Sequence, residues 1–151
     1  MIHLSAQVES FTAIQPEIAT LIAGHYDELA LDKELAPLDP DWARYAHLEN
    51  IGQLCTVSMR AQGRLVGYCI MIVSPELHYQ TTLSGKMDVF WIEPEFRGRM
   101  GGVRLFKAME KELKRRGCKR MFVGSKLHRD SSRLFQAMGY RHIENWFSKV
   151  L

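Results

Sequence analysis

Residues 97–102 read Arg-Gly-Arg-Met-Gly-Gly, placing two guanidinium groups and three glycines in six positions. An apolar run that stops at a proline, Val89-Phe90-Trp91-Ile92-Glu93-Pro94, comes before them. A helical pattern of Val103, Phe106, Met109 and Leu113 follows. A loop that feeds a helix leaves the first helical N–H groups without intrahelical acceptors. The helix dipole adds partial positive charge at the same end, so phosphate is a natural guest. Gly98, Gly101 and Gly102 would let the backbone come close to a ligand, and Arg97 and Arg99 could add charge-assisted hydrogen bonds. There is no Gly-Lys-Ser/Thr, and no Gly-x-Gly-x-x-Gly follows the first strand, so neither a Walker A loop nor a Rossmann site is expected. Taken alone, the loop fits an anion site and a solvated turn equally well.

The elements that must position this loop follow from periodicity. "VESFTAIQPEIATLIAGHYDELA" begins as a short strand and continues as a helix, with Ile14, Ile18, Leu21, Ile22, His25 and Leu29 at helical spacing and Pro16 in the first turn. "DPDWARYAHLENIG" predicts a second helix, capped by Asp39 or Asp41 and closed by Gly52. "LCTVSMRAQGRLVGYCIMIVSPEL" reads as a hairpin that turns at Gly63, and "TTLSGKMDVFWIEP" as a further strand. After the loop helix, which stops at Gly117, come a strand over "KRMFVGS" and a helix over "DSSRLFQAMGY" opened by Asp130 or Ser131. "RHIENWFSKVL" closes as a last strand. The order β-α-α-β-β-β-α-β-α-β predicts antiparallel pairing early and a parallel pair around the loop. The expected fold is therefore a mixed sheet covered by helices.

Composition sets the class. The chain of 151 residues is 46% apolar and 25% charged, as in an ordinary globular domain, and residues 1–151 are expected to form one domain. No apolar run reaches the roughly 20 residues of a membrane helix, so no membrane partner is expected. The start "MIHLSAQVES" lacks a secretory pattern, and Cys55, Cys69 and Cys118 show no CxxC spacing. A cytoplasmic protein with reduced thiols and no metal site is expected. The net charge is only +3, but basic residues bunch between Arg97 and Arg120.

Two segments in register resemble the GNAT family of N-acetyltransferases. "VFWIEPEFRGRMGGVRLFKAMEKELKRRG" is similar to the pyrophosphate-binding segment, whose signature Arg/Gln-x-x-Gly-x-Gly/Ala falls on Arg97 to Gly102 with Met100 in place of the middle glycine. "SSRLFQAMGYRHIENWFSKVL" is similar to the last helix and closing strands, and the element order agrees over nearly the whole chain. The resemblance implies an α/β fold with a mixed, mostly antiparallel sheet of about six to seven strands, about four flanking helices and two splayed parallel strands at the centre.

It also implies an enzyme that moves an acetyl group from acetyl-coenzyme A to a primary amine by direct attack in a ternary complex. Main-chain groups of Phe90, Trp91 and Ile92 would pair with the pantetheine arm, and one N–H would polarise the thioester carbonyl. Backbone amides of Arg97, Gly98, Arg99, Met100, Gly101, Gly102 and Val103 would hold the pyrophosphate, with Phe135 packed at the pantetheine end. Asp88 is the candidate general base. Phe135 occupies the position where relatives carry an acidic tyrosine, which leaves Tyr140 as the candidate acid, with Ser125 or water as substitutes. Trp42, Tyr45, His78 and Tyr79 could line an acceptor pocket, and Glu28, Asp32 and Glu34 could attract a cationic small molecule or peptide amine.

Two other readings stand beside this one. A non-catalytic acyl-coenzyme A sensor would fit the Phe135 and Met100 departures. A nucleic-acid module would use the basic 97–120 segment, but its apolar residues keep buried helical spacing and no binding motif is present, so nucleic acid is the less favoured partner. The sequence is compatible with a homodimer.

Overall fold

The structure is a computed structural model that describes residues 2–151. Strand β1 (Leu4–Val8) leads into helices α1 (Phe11–Leu29) and α2 (Trp42–Asn50). Strands β2 (Leu54–Ala61), β3 (Arg64–Glu76) and β4 (Tyr79–Ile92) follow, then α3 (Gly101–Arg115), β5 (Arg120–Phe122) and α4 (Ser132–Ala137). The strands form one sheet in the order β1-β2-β3-β4-β5. The first three pairings are antiparallel, while β4 and β5 run parallel. The β2–β3 hairpin turns where expected, with Gln62 and Gly63 both at positive φ, the geometry that matches strand twist.

Strand pleating sends alternate residues to the two sides. Cys69 and Met71 of β3 face α3, where Leu105, Phe106, Met109 and Leu113 form the buried stripe. Tyr68 and Ile70 face the opposite side, against Phe11, Ile14 and Ile18 of α1. The lysines of α3, Lys107, Lys111 and Lys114, lie exposed on its other face.

Helix α1 begins earlier than its apolar spacing suggests, because the Ser10 hydroxyl accepts from the Ala13 N–H and caps it there. Pro16 therefore falls in the second turn rather than the first. Asp41 caps α2 by accepting from the Arg44 N–H.

One expected element is missing. Residues 141–151 form neither strand nor helix, so the sheet has five strands instead of six or seven. The segment has a strand's composition, but β-rich sequence becomes a strand only where an edge accepts its hydrogen bonds. Here it lies exposed and pairs with no strand.

Candidate functional site

The two long helices that follow loops are finished differently at their N-termini. The Glu49 carboxylate of α2 closes the start of α1, accepting from the N–H groups of Phe11 and Thr12 and from the hydroxyls of Ser10 and Thr12. No group among the described residues performs that service for α3. The N–H groups of Gly98, Arg99, Met100, Gly101, Gly102 and Val103 find no acceptor among the described residues, and regular bonding resumes when Arg104 donates to Met100 O. Gly98 (φ 73°) and Met100 (φ 61°) both sit in the left-handed region, which gathers successive amides into a concave nest suited to an anion. Met100 thus takes, as a non-glycine residue, the conformation for which the signature carries glycine.

The side chains around this nest divide the labour unexpectedly. The Arg97 N–H donates to Pro94 O, and its guanidinium bonds Ile92 O at 2.7 Å and both Glu28 oxygens at 2.6 Å. Arg97 therefore braces the loop from behind. Arg104 is also engaged, donating to Leu4 O at 2.5 Å, whereas the exposed Arg99 makes no hydrogen bond or ion pair among the described residues. Gly102 serves packing: a Cβ there would stand 2.9 Å from Leu134 Cδ2 of α4.

Strands β4 and β5 pair only from Ser84–Lys86 to Arg120–Phe122, while β4 continues to Ile92. Beyond Lys86 the β5-facing edge of β4 is open, and it points towards the nest. Glu93 donates to Val66 O, so by antiparallel alternation Trp91 and Val89 also turn their backbone groups to β3. Phe90 and Ile92 turn theirs to the open edge, and Arg97 already occupies Ile92 O. The free groups are thus the Phe90 N–H and C=O and the Ile92 N–H. Trp91, expected to share this role, instead pairs with Tyr68 of β3.

Asp88 lies at a bulge. The β3–β4 register steps from Ile70↔Val89 to Met71↔Met87, leaving Asp88 without a partner. Bulges re-aim side chains, and this one turns Asp88 to the α1/α2 face, where the Tyr45 hydroxyl donates to its Oδ2. Burial first, and then this carboxylate, push the Tyr45 hydroxyl well above its ordinary range. Tyr45 stacks on Phe11 at 4.8 Å between ring centroids, with Trp42 alongside. Beneath lies buried His25, with Nδ1 2.8 Å from Tyr68 Oη and its ring stacked on Trp91. Burial lowers His25 to about 4, so its imidazole is neutral at pH 7.

Phe135 and Tyr140 are on the other side of the sheet. Phe135 is buried edge-on to Phe106, with ring centroids 5.0 Å apart. The Tyr140 hydroxyl donates to Glu110 Oε1 of α3 at 2.8 Å and lies 3.2 Å from Met121 Sδ of β5. Met121 pairs with Gly85 in the stretch where β4 and β5 are bonded, five residues along β4 from Phe90, about 16 Å in an extended strand. The structure does not bring Tyr140 to Asp88. Ser125 is likewise occupied, donating to Asp130 and accepting from the Ser131 N–H.

Sequence reasoning missed two relationships. Glu28 is not a free attractor for a cationic amine, because its carboxylate holds Arg97 and the Trp91 indole N–H, and the Arg97 bonds lower it to about 2. Tyr45 was legible only as an aromatic; its bond to Asp88 crosses 43 positions, and no local pattern reports such a contact.

Comparison with known proteins concerns the fold. The family model described as acetyltransferase (GNAT) family matches residues 20–140. No curated protein sequence matches the chain. The ribosomal-protein-alanine N-acetyltransferase from Brucella melitensis biovar Abortus 2308 is similar in structure, with TM-score 0.74 and 19% identity over 99% of this chain and 97% of that one. Glucosamine-6-phosphate N-acetyltransferase from Arabidopsis thaliana gives TM-score 0.74 at 10% identity, covering 98% of each chain. An aminoglycoside N-acetyltransferase in complex with CoA gives 0.75 at 16% identity, over 100% of this chain and 96% of that one. At such identities the likeness is one of fold.

Proposed function

Because the chain belongs to the acetyltransferase (GNAT) family, we propose that it transfers an acetyl group from acetyl-coenzyme A to a primary amine of a small molecule or peptide. The observation that carries this reading is the run of unpartnered amides from Gly98 to Val103, next to the open edge of β4. The nest would hold the pyrophosphate with Arg99 above it, and Phe90 and Ile92 would bond the pantetheine amides as an added strand would. The aromatic wall of Phe90, Phe106 and Phe135 supplies an apolar flank.

In the reaction, Asp88 takes the proton that the amine must lose, directly or through Tyr45. The amine nitrogen then bonds to the thioester carbon, and the Phe90 N–H steadies the negative charge that develops on the carbonyl oxygen. As the carbon–sulfur bond breaks, the electron pair leaves on sulfur. A thiol of pKa about 8.5 departs as thiolate at modest cost, and the second proton, carried by the nitrogen once it has bonded to carbon, passes through solvent to that thiolate. Tyr140 has no part in this scheme. The α1/α2 face, with Trp42 and Tyr45, is the acceptor side. Nearby, the segment between these helices exposes Leu31, Leu35 and Leu38 among acidic residues, which suits a cation with an apolar part.

The test is a melting-temperature shift with acetyl-coenzyme A, followed by thiol release across a panel of amines, polyamines and peptides. At about 100-fold excess over Kd the ligand should add roughly 2.7 kcal/mol of apparent stability. No shift would sink the reading. A shift with no thiol release from any acceptor would favour the sensor, which the absence of an acid at Phe135 supports. A shift with duplex DNA alone would favour the nucleic-acid module.

A further inference from the structure

Strand β5 gives way to a loop, residues 123–131, that crosses from the sheet to helix α1. Its start still lies beside β4, since a Cβ on Gly124 would stand 3.9 Å from Met87 Cε. Its far end reaches α1, where Arg129 Nε comes within 3.5 Å of Glu28 Oε1. Its own polar groups hold it in shape. The Ser125 hydroxyl donates to Asp130 Oδ1 and accepts from the Ser131 N–H, and the same Asp130 oxygen accepts from the Ser132 N–H. At the tip, Lys126 and Arg129 form a β-bridge, closed by the Arg129 N–H on Lys126 O at 3.1 Å.

Such a bridge sets two cationic residues directly opposite each other, an arrangement that costs stability. The loop's own carboxylate, Asp130, is turned to Ser125 and Ser132 instead. The carboxylate that Arg129 meets is Glu28, which already accepts two hydrogen bonds from Arg97 and one from the Trp91 indole. Arg129 makes no hydrogen bond to it, and the Lys126 side chain has no ion pair or hydrogen bond among the described residues. His25, lowered first by its burial, registers these charges: Glu28 raises it, while Lys126 and Arg97 lower it. One carboxylate is thus set among three cations, on the face of the sheet where Tyr45 meets Asp88.

We propose that Lys126 and Arg129 anchor the acceptor: the substrate carries an anionic group, a carboxylate or a phosphate, several bonds from its amine. This rests on the proposed reaction for the position of the amine. Trp91, which shares Glu28 with Arg129, stands three residues along β4 from Asp88, about 10 Å in an extended strand. With the amine at Asp88, an anionic group at that spacing falls to the cation pair. Both side chains offer charge-assisted hydrogen bonds to its oxygens, and its charge relieves the repulsion across their bridge. The acidic segment between α1 and α2 then draws the amine end, and the bridge draws the other.

The test is a titration of the full chain followed by its amide chemical shifts, with coenzyme A at saturation so that the nest is filled. Two pairs of amines serve as probes: triglycine against its C-terminal amide, and aminopentyl phosphate against aminopentanol. The anionic member of at least one pair should bind about tenfold more tightly than its partner, the worth of one charge-assisted hydrogen bond, and should shift residues 124–130. Which pair shows it separates carboxylate from phosphate. Lys126→Gln with Arg129→Gln should erase the preference, while Leu127→Ala, 99% exposed between them, should keep it. Equal affinity within both pairs, or no binding of either anionic probe, overturns the proposal, as does a preference that survives the double variant. If that variant does not fold, the unmodified chain decides, and a preference without shifts at 124–130 overturns it. Failure of coenzyme A to bind would sink the proposed reaction instead. The same titration without it then still reads the cation pair, through the loss of preference in the double variant.

Discussion

Glu28 grips Arg97 with two hydrogen bonds of 2.6 Å, across 69 positions of sequence, and so ties helix α1 to the back of the glycine loop. The same carboxylate takes the indole N–H of Trp91 at 3.0 Å. One side chain of α1 therefore sets the end of β4 and the start of the nest together.

Glu28→Gln should loosen the loop without touching the amides of the nest. The stability cost should be about 1–2 kcal/mol, kept low because Arg97 is partly open to solvent. KM for acetyl-coenzyme A should rise several-fold while kcat changes less. Calorimetric titration with coenzyme A checks this, and unchanged affinity would show that the brace is not needed for the nest.

Met100→Gly should stabilise the protein. A non-glycine residue in the left-handed region costs about 1–2 kcal/mol, and glycine's extra freedom in the unfolded chain takes back about 0.5–1. The Met100 side chain is 61% exposed, so little packing is lost. The net gain should be about 0.5–1 kcal/mol, read by thermal melting, with cofactor affinity kept because the amide stays. A lower melting temperature would contradict the strain.

Asp88→Asn should lower kcat by about 10²- to 10⁴-fold and remove the acidic limb of the pH profile. Tyr45→Phe should lower activity less and leave that limb in place. Tyr140→Phe should keep the whole profile and only weaken the fold, by about 1 kcal/mol, since its hydroxyl serves Glu110. A profile that changes with Tyr140→Phe and not with Asp88→Asn would reverse the assignment.

Stability should fall on acidification in two overlapping steps. His25 is lowered from 6.5 to about 4, so between those values the unfolded chain binds the proton that the folded one refuses. That contribution is complete above pH 6.5 and lost as pH drops to about 4, at a cost of up to about 3 kcal/mol. Glu28 is lowered from 4.5 to about 2, and its contribution disappears across that lower window. Denaturant titrations of the wild type and His25→Gln should differ mainly in the slope between pH 6.5 and 4. Parallel curves would remove His25 as the cause.

Local chemistry made much of this protein readable in the chain. Runs rich in β-branched and aromatic residues, ended by Gly63 and Pro94, gave away the central strands, and the stripe of Phe106, Met109 and Leu113 gave away the loop helix. The nest was legible for the same reason, since an anion site of main-chain amides needs only a turn-permissive stretch before a helix. The closing strand was misread because a strand's existence depends on a partner edge, which 141–151 does not name.

What the chain alone determined, then, is where backbone amides collect, because neighbours in sequence decide that. Only the tertiary structure decided which side chains remain free to act. It committed Arg97 and Glu28 to each other, turned Asp88 to Tyr45 through a bulge, and put Tyr140 across the sheet from both. Such pairings arise from packing between segments 30 to 70 positions apart. At that range the orientation of a side chain is set by the surface it meets, and no spacing rule within one segment carries it.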